Sequence, residues 1–198
     1  MAVNKQPVAR RCKKYDISPS VLGYSKKETY RNSDKRRKKA SEYSLQLNEK
    51  QKMKFVYGIL EKQSRRVYDE AERMQGVTGD NMIMLLETRL DNVVFRLGLC
   101  KTRKQARQMV SHAHFLVNGK KVNIPSYRVK VGDVISVRER SAEVPVFKSV
   151  KEEGPLQLVP TWLEFDQEKL SGKVMALPKA EDLDFELQTN LIVEFYSK

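Results

Sequence analysis

The sequence predicts an α+β fold, in which a basic N-terminal arm leads into an all-helical region and then into helices packed on a small antiparallel β-sheet. Three features of residues 89–137 carry that prediction. Leu90, Val93, Val94 and Leu97 recur at the spacing that lines one helical face, and Gly98 follows as a stop. Thr102 stands three residues before Gln105, a capping-box pattern that opens a second helix over about 103–111. Asn118-Gly119 then separates Phe115-Leu116-Val117 from Lys120-Lys121-Val122. This dipeptide tolerates the positive φ angles of a type I′ turn, so two short strands form a hairpin.

In chain order, residues 1–40 are poor in aliphatics and interrupted by Pro7, Pro19 and Gly23. They are expected to bury too little apolar area to offset chain entropy, and so to order on a partner. Tyr15, Tyr24 and Tyr30 within them suit either base stacking or local packing. Asn48 with Gln51 reads as a cap pair for a helix reaching Tyr57, where Gly58 breaks it. A second helix over about 59–74 places Leu60, Val67, Ala71 and Met74 on one side, and Gly76 ends it. Asp80 is the expected cap of a compact apolar segment at 82–86.

Beyond the hairpin, residues 124–137 alternate apolar and polar positions around Gly132-Asp133 and predict strand structure. Residues 141–153 are expected to form a short helix with Pro145 near its start. Residues 162–166 and 173–177 alternate across a turn containing Ser171-Gly172, a second hairpin that extends the first sheet. Trp162 reads as its core anchor. Residues 191–195 close the chain as a buried segment.

Charge distribution points to the partner. Residues 1–40 hold 13 Lys/Arg against 3 Asp/Glu, residues 41–140 hold 19 against 11, and residues 141–198 hold 6 against 11. A cationic block followed by an acidic tail argues for nucleic acid. Anionic membrane is the weaker alternative, because Lys35-Arg36-Arg37-Lys38-Lys39 lacks the bulky apolar residues of a membrane-lying helix. With two cysteines, no CxxC pairing and no apolar run approaching the ~18 residues of a membrane span, the chain is expected to be soluble and cytosolic.

Catalytic signatures are missing: the sequence contains no Gly-rich phosphate loop, no HExxH and no nucleophile elbow. His112, His114, Cys12 and Cys100 are formally enough for zinc, but the cysteines lie 88 residues apart, unlike clustered ligand sets, and no metal is expected. His112 instead suits phosphate donation or capping of the hairpin entry. The positive signal is a phosphate-reading surface. Lys101, Arg103, Lys104 and Arg107 lie at and just beyond a helix N-terminus, where free N–H groups and the macrodipole favour an anion. Arg89 and Arg96 are expected to flank the groove, with Asn118-Gly119-Lys120 beside it. Spacing alone leaves RNA and DNA both open.

Residues 88–137 closely resemble the RNA-binding module named after the fourth protein of the bacterial small ribosomal subunit. Residues 45–52, 57–63 and 78–81, Pro160-Thr161-Trp162-Leu163-Glu164 and the terminal 191–197 extend the resemblance to that whole ribosomal-protein family. The resemblance implies a basic extension at 1–43, a helical domain from 44–87 plus 180–198, and an inserted RNA-binding domain at 88–179 with its core module at 89–151. It also implies binding to a multi-helix junction of small-subunit (16S) rRNA, nucleation of 30S assembly, and support of translational accuracy beside the fifth small-subunit protein near the mRNA entry channel. No membrane, small-molecule substrate or cofactor is implied. Many members bind zinc through clustered N-terminal cysteines; only Cys12 is present in that region, so the zinc-free branch fits.

On this reading the rRNA-binding residues are Arg10, Arg11, Lys13, Lys14, Lys35, Arg36 and Arg37 in the arm. In the helical region they are Lys50, Lys52, Lys54, Lys62, Arg65 and Arg66. In the module they are Arg89, Arg96, Lys101, Thr102, Arg103, Lys104, Arg107, Gln108, Ser111, His112, Asn118 and Lys120. Two alternatives share the module. Pseudouridine-synthase-like enzymes use an Arg-Leu-Asp motif, which Arg89-Leu90-Asp91 imitates inside the module itself and without a separate catalytic domain. A rescue factor carrying the module would not need the helical region and terminal segment.

Overall fold

The computed structural model describes residues 7–24 and 41–197. The first helix, α1 (Val8–Tyr15), is followed by a 3₁₀ turn at Pro19–Leu22. For residues 7–24, burial corrects the expectation of an arm that orders only on a partner. Cys12, Tyr15, Ile17, Val21 and Leu22 are scattered in sequence, but a left-handed Asp16 (φ 54°) turns the chain so that all five reach one core. Tyr15 is buried 5.8 Å from the Phe55 ring, and Tyr24 packs on the same cluster. Tyr30, Lys35, Arg36 and Arg37 lie outside the described residues.

Helices α2 (Glu42–Tyr57), α3 (Glu61–Arg73), α4 (Thr78–Glu87) and the terminal α8 (Thr189–Ser197) build that core, with Met53, Val56, Ala71, Leu86 and Ile192 at its centre. The expected cap at Asn48 falls in mid-helix. Ser41 caps α2 instead, its Oγ accepting from the Ser44 N–H at 3.3 Å. The early turns are held by α8, through Gln46 Nε2 donating to Glu194 at 3.0 Å and Tyr43 lying 5.8 Å from Phe195. Similarly, α4 begins at Thr78 and Asp80 sits in its first turn, where a carboxylate suits the helix dipole. Leu60, expected on the apolar side of α3, is 51% exposed because the helix starts one residue later.

The second core is built on α5 (Leu90–Arg96) and α6 (Arg103–Ser111), with the expected face of Leu90, Val93, Val94 and Leu97 wholly buried. Asn118 (φ 50°) and Gly119 (φ 75°) make the turn between β1 (Phe115–Val117) and β2 (Lys120–Lys121). Of residues 124–137, only β3 (Val134–Val137) is strand. The preceding loop caps α5: Tyr127 O accepts from Leu90 N–H at 2.8 Å and Pro125 O from Asp91 N–H at 3.1 Å, satisfying donors that a helix start leaves open.

Helix α7 (Pro145–Glu153) forms as expected and buries Phe147 and Val150. The second hairpin pairs β4 (Leu163–Asp166) with β5 (Ser171–Val174), so Ser171-Gly172 belongs to a strand and the turn lies before it. The reason is close packing. A Cβ on Gly172 would fall 2.3 Å from Leu97 Cδ2, so this glycine admits a core side chain and the turn falls at Leu170, in the left-handed region (φ 47°). The five strands form one antiparallel sheet in the order β2-β1-β3-β5-β4, with Trp162 3% exposed beneath it. Among the described residues no helix is long and apolar enough to cross a membrane.

Candidate nucleic-acid interface

Helix α6 organises the site. Thr102 Oγ1 accepts from the Gln105 N–H at 3.2 Å, while Gln105 Oε1 accepts from the Lys101 N–H at 2.9 Å, one residue before the expected partner. Ala106 and Val110 face the core, which turns Lys101, Lys104, Gln108 and His112 outward. Lys101 and Lys104 have no acidic partner among the described residues. Arg107 is half-buried; it donates to Gly58 O at 3.4 Å and lies 3.7 Å from Asp91. Ser111 Oγ is turned back to Arg107 O at 2.9 Å.

Arg103 corrects the expected cationic face, for it points inward. Nε donates to Asn92 Oδ1 at 2.8 Å, Nη1 donates to Val21 O at 2.6 Å, and the guanidinium lies 4.3 Å from the Phe95 ring centre. Arg96 is likewise internal. Its Nε and Nη2 each reach the Glu87 carboxylate at 3.0 Å, and Nη1 lies 3.0 Å from Asp184. Tyr57 OH (2.6 Å) and Asn92 Nδ2 (2.8 Å) complete the ring of donors around Glu87. Burial alone would raise the Glu87 carboxyl, but the charges of Arg96 and Arg103 and the hydrogen bonds from Arg96 and Tyr57 outweigh it and hold it below the usual range. Arg89 also faces inward, in a bidentate pair with Asp91 at 3.0 and 2.7 Å. The Arg-Leu-Asp motif is thus a closed internal ion pair. Arg128 and Glu70 of α3 form a second pair that joins the two cores.

The helical region divides the same way. Lys50 and Lys54 converge on Glu61 at 3.0 and 2.5 Å, Lys52 pairs with Glu49 at 3.6 Å, and Arg65 bonds Asp69 and Tyr196 O. Burial opposes ionisation of Glu61, but hydrogen bonds from Lys54, Lys50 and the Tyr196 hydroxyl prevail and bring its carboxyl down to about 2. Lys62 and Arg66 are exposed with no acidic partner among the described residues. On α1, Arg10, Arg11, Lys13 and Lys14 line an open groove of about 650 Å³ with Pro7 and Tyr15, and Arg11 also lies 5.3 Å from the Phe55 ring.

At the hairpin, Lys120 is exposed. Asn118 has structural bonds, donating to Asp133 Oδ1 at 2.8 Å and accepting from the Val134 N–H at 2.9 Å. Sequence reasoning passed over Lys121, which neighbours Lys120, and Arg138 and Arg140, which follow β3. Arg138 N–H donates to His114 O at 2.9 Å, so this strand end is brought beside α6 only by the sheet. His114 Nδ1 lies 2.9 Å from Ser141 Oγ, and burial followed by the His112 and Arg138 charges depresses its protonation. Cys12 and Cys100 are free and buried; among the described residues no group of three or more His, Cys, Asp or Glu is placed to hold a metal.

Residues 3–87 match the family "Ribosomal protein S4/S9 N-terminal domain" and residues 88–135 match the "S4 domain". The chain belongs to the uS4 family. Small ribosomal subunit protein uS4 of Lachnospira eligens is 52% identical over 198 residues, covering all of both chains. That of Fusobacterium nucleatum subsp. nucleatum is 51% identical over the same span. That of Heliobacterium modesticaldum is 59% identical over 162 residues, 82% of this chain and 78% of its own length. The uS4 match divides at the point where the two cores meet: Glu87, at the end of the first matched segment, is gripped by Asn92 and Arg96 of the second.

Proposed function

We propose that this chain is a structural constituent of the small ribosomal subunit that binds 16S rRNA and takes part in 30S assembly. The observation that carries the reading is the N-terminal end of α6, where Lys101 and Lys104 stand exposed and without acidic partners among the described residues, beside backbone donors that favour phosphate. Full-length identity to small-subunit proteins supplies the class of RNA. The chain is a binder and not an enzyme. The contact set is Lys101, Lys104, Gln108, His112 and Lys120, with Lys62 and Arg66 of α3 and the cations of α1; Arg89, Arg96 and Arg103 support it from inside.

In the finer reading, 88–179 is an insertion into a helical domain of 44–87 and 180–198. The chain nucleates assembly at an rRNA junction, sits in cytoplasmic 30S subunits, meets the fifth small-subunit protein and lies near the mRNA entry channel. The excess of Asp and Glu over Lys and Arg in 141–198 favours a protein neighbour over RNA for the surface that this stretch contributes. Filter binding to 16S rRNA across a salt series tests the reading. Replacing Lys101 and Lys104 with Ala is expected to lower the log–log salt slope by about 0.7–0.9 per contact; an unchanged slope removes this face from the interface.

A further inference from the structure

We infer that Arg103 and Gly23 form a seam that fixes the cationic helix α1 beside the α6 face so that both grip one RNA, with Arg103 acting as a positioning residue and not as a phosphate contact. The inference rests on the RNA-binding reading above. Arg103 opens α6 yet is only 8% exposed, and one arginine ties the 3₁₀ turn, through Val21 O, to α5, through Asn92 Oδ1. Its Nη2 is buried with no hydrogen-bond partner among the described residues, so the guanidinium is turned away from the surface.

Gly23 closes the seam from the other side. With φ +77°, it lies so close to the backbone entering α6 that a Cβ would stand 1.7 Å from Lys101 O and 3.4 Å from the Phe95 ring. The segment that leads back from this seam to α1 is buried at Ile17, Val21 and Leu22, so the seam sets where Arg10 and Lys14 stand relative to Lys101 and Lys104. Two cationic surfaces held in register make the second engagement intramolecular. Loosening the seam loses that effective concentration without deleting a charge.

The decisive variant is Gly23→Ala in the full chain, because it removes no charge. Its binding to 16S rRNA across salt is expected to flatten by roughly 1.4–3.6 slope units, two to four α1 contacts at 0.7–0.9 each. Cys12, 2% exposed, is expected to react faster with a thiol reagent while Cys100, 0% exposed, stays protected and reports an intact second core. Arg103→Lys, which keeps the charge and loses the fork, is expected to behave like Gly23→Ala. A direct Arg103–phosphate contact predicts Arg103→Lys near wild type, and an α1 held independently of the seam predicts Gly23→Ala with unchanged slope and a protected Cys12. Either result overturns the inference. Should the wild type bind no rRNA, the RNA reading falls, and the seam itself is then decided by Cys12 reactivity alone. If Gly23→Ala exposes Cys100 as well, Arg103→Lys decides between the two accounts.

Discussion

Replacing Arg96 with methionine would strip the Glu87 carboxylate of its two arginine bonds while leaving it 1% exposed. Removing one partner of a buried ion pair costs about 3–5 kcal/mol, because the remaining charge is stranded in a medium that solvates it poorly. Against a typical total stability of about 5–15 kcal/mol, that is a large fraction. With a urea m-value near 2 kcal/mol/M, the midpoint of denaturation at pH 7 is expected to fall by about 1.5–2.5 M. The pH dependence gives a second reading. In the wild type the Glu87 carboxyl is depressed, so its contribution is present above the unfolded value of about 4.3 and is lost as pH falls through the folded value below it. In Arg96→Met the burial that opposes ionisation is no longer countered by Arg96, so protonation relieves the variant and the gap to wild type narrows in acid. Replacing Glu87 and Arg96 together with methionine is expected to recover most of the loss. A single-variant loss below about 1 kcal/mol, or a gap that widens in acid, would refute the idea that this network holds the two cores together.

Further expectations follow from individual contacts. Gly172→Ala would press a Cβ against the wholly buried Leu97 and is expected to cost about 1–3 kcal/mol by thermal or urea unfolding. Gly79→Ala meets Thr189 Oγ1 at 2.5 Å and is expected to loosen α8, read as faster amide exchange in residues 189–197. The Glu61 carboxyl, brought down to about 2 by Lys54, Lys50 and Tyr196, contributes stability that is fully present above about 4.3 and lost as pH falls toward 2. Glu61→Gln is expected to abolish that part of the acid transition in a pH series followed by circular dichroism.

Structure is legible in the sequence where its cause is local. The α5 face, the Thr102 cap and the Asn118-Gly119 turn depend on residues within a few positions of one another, and each stands where pattern and backbone chemistry place it. Expectation and structure part where a distant segment decides. Helix α2 starts at Glu42, capped by Ser41, because α8, from the other end of the chain, packs on its first turns. The second hairpin shifts because Gly172 must admit Leu97. Arg103 looks like a surface cation in sequence, since nothing near it announces that Val21 O and Asn92 will meet its guanidinium. The candidate site was legible as a basic helix start; its division into exposed lysines and buried arginines is set by tertiary packing.

The central claim, that the exposed cations of α6, α3 and α1 hold one region of small-subunit rRNA, is tested most directly by crosslinking the chain to total cellular RNA and mapping the sites. A single dominant 16S rRNA junction, with crosslinked peptides containing Lys101 or Lys104, is the predicted result. Sites dispersed over tRNA and unrelated RNAs, or crosslinks from residues of the acidic 141–198 stretch in place of α6, would contradict it.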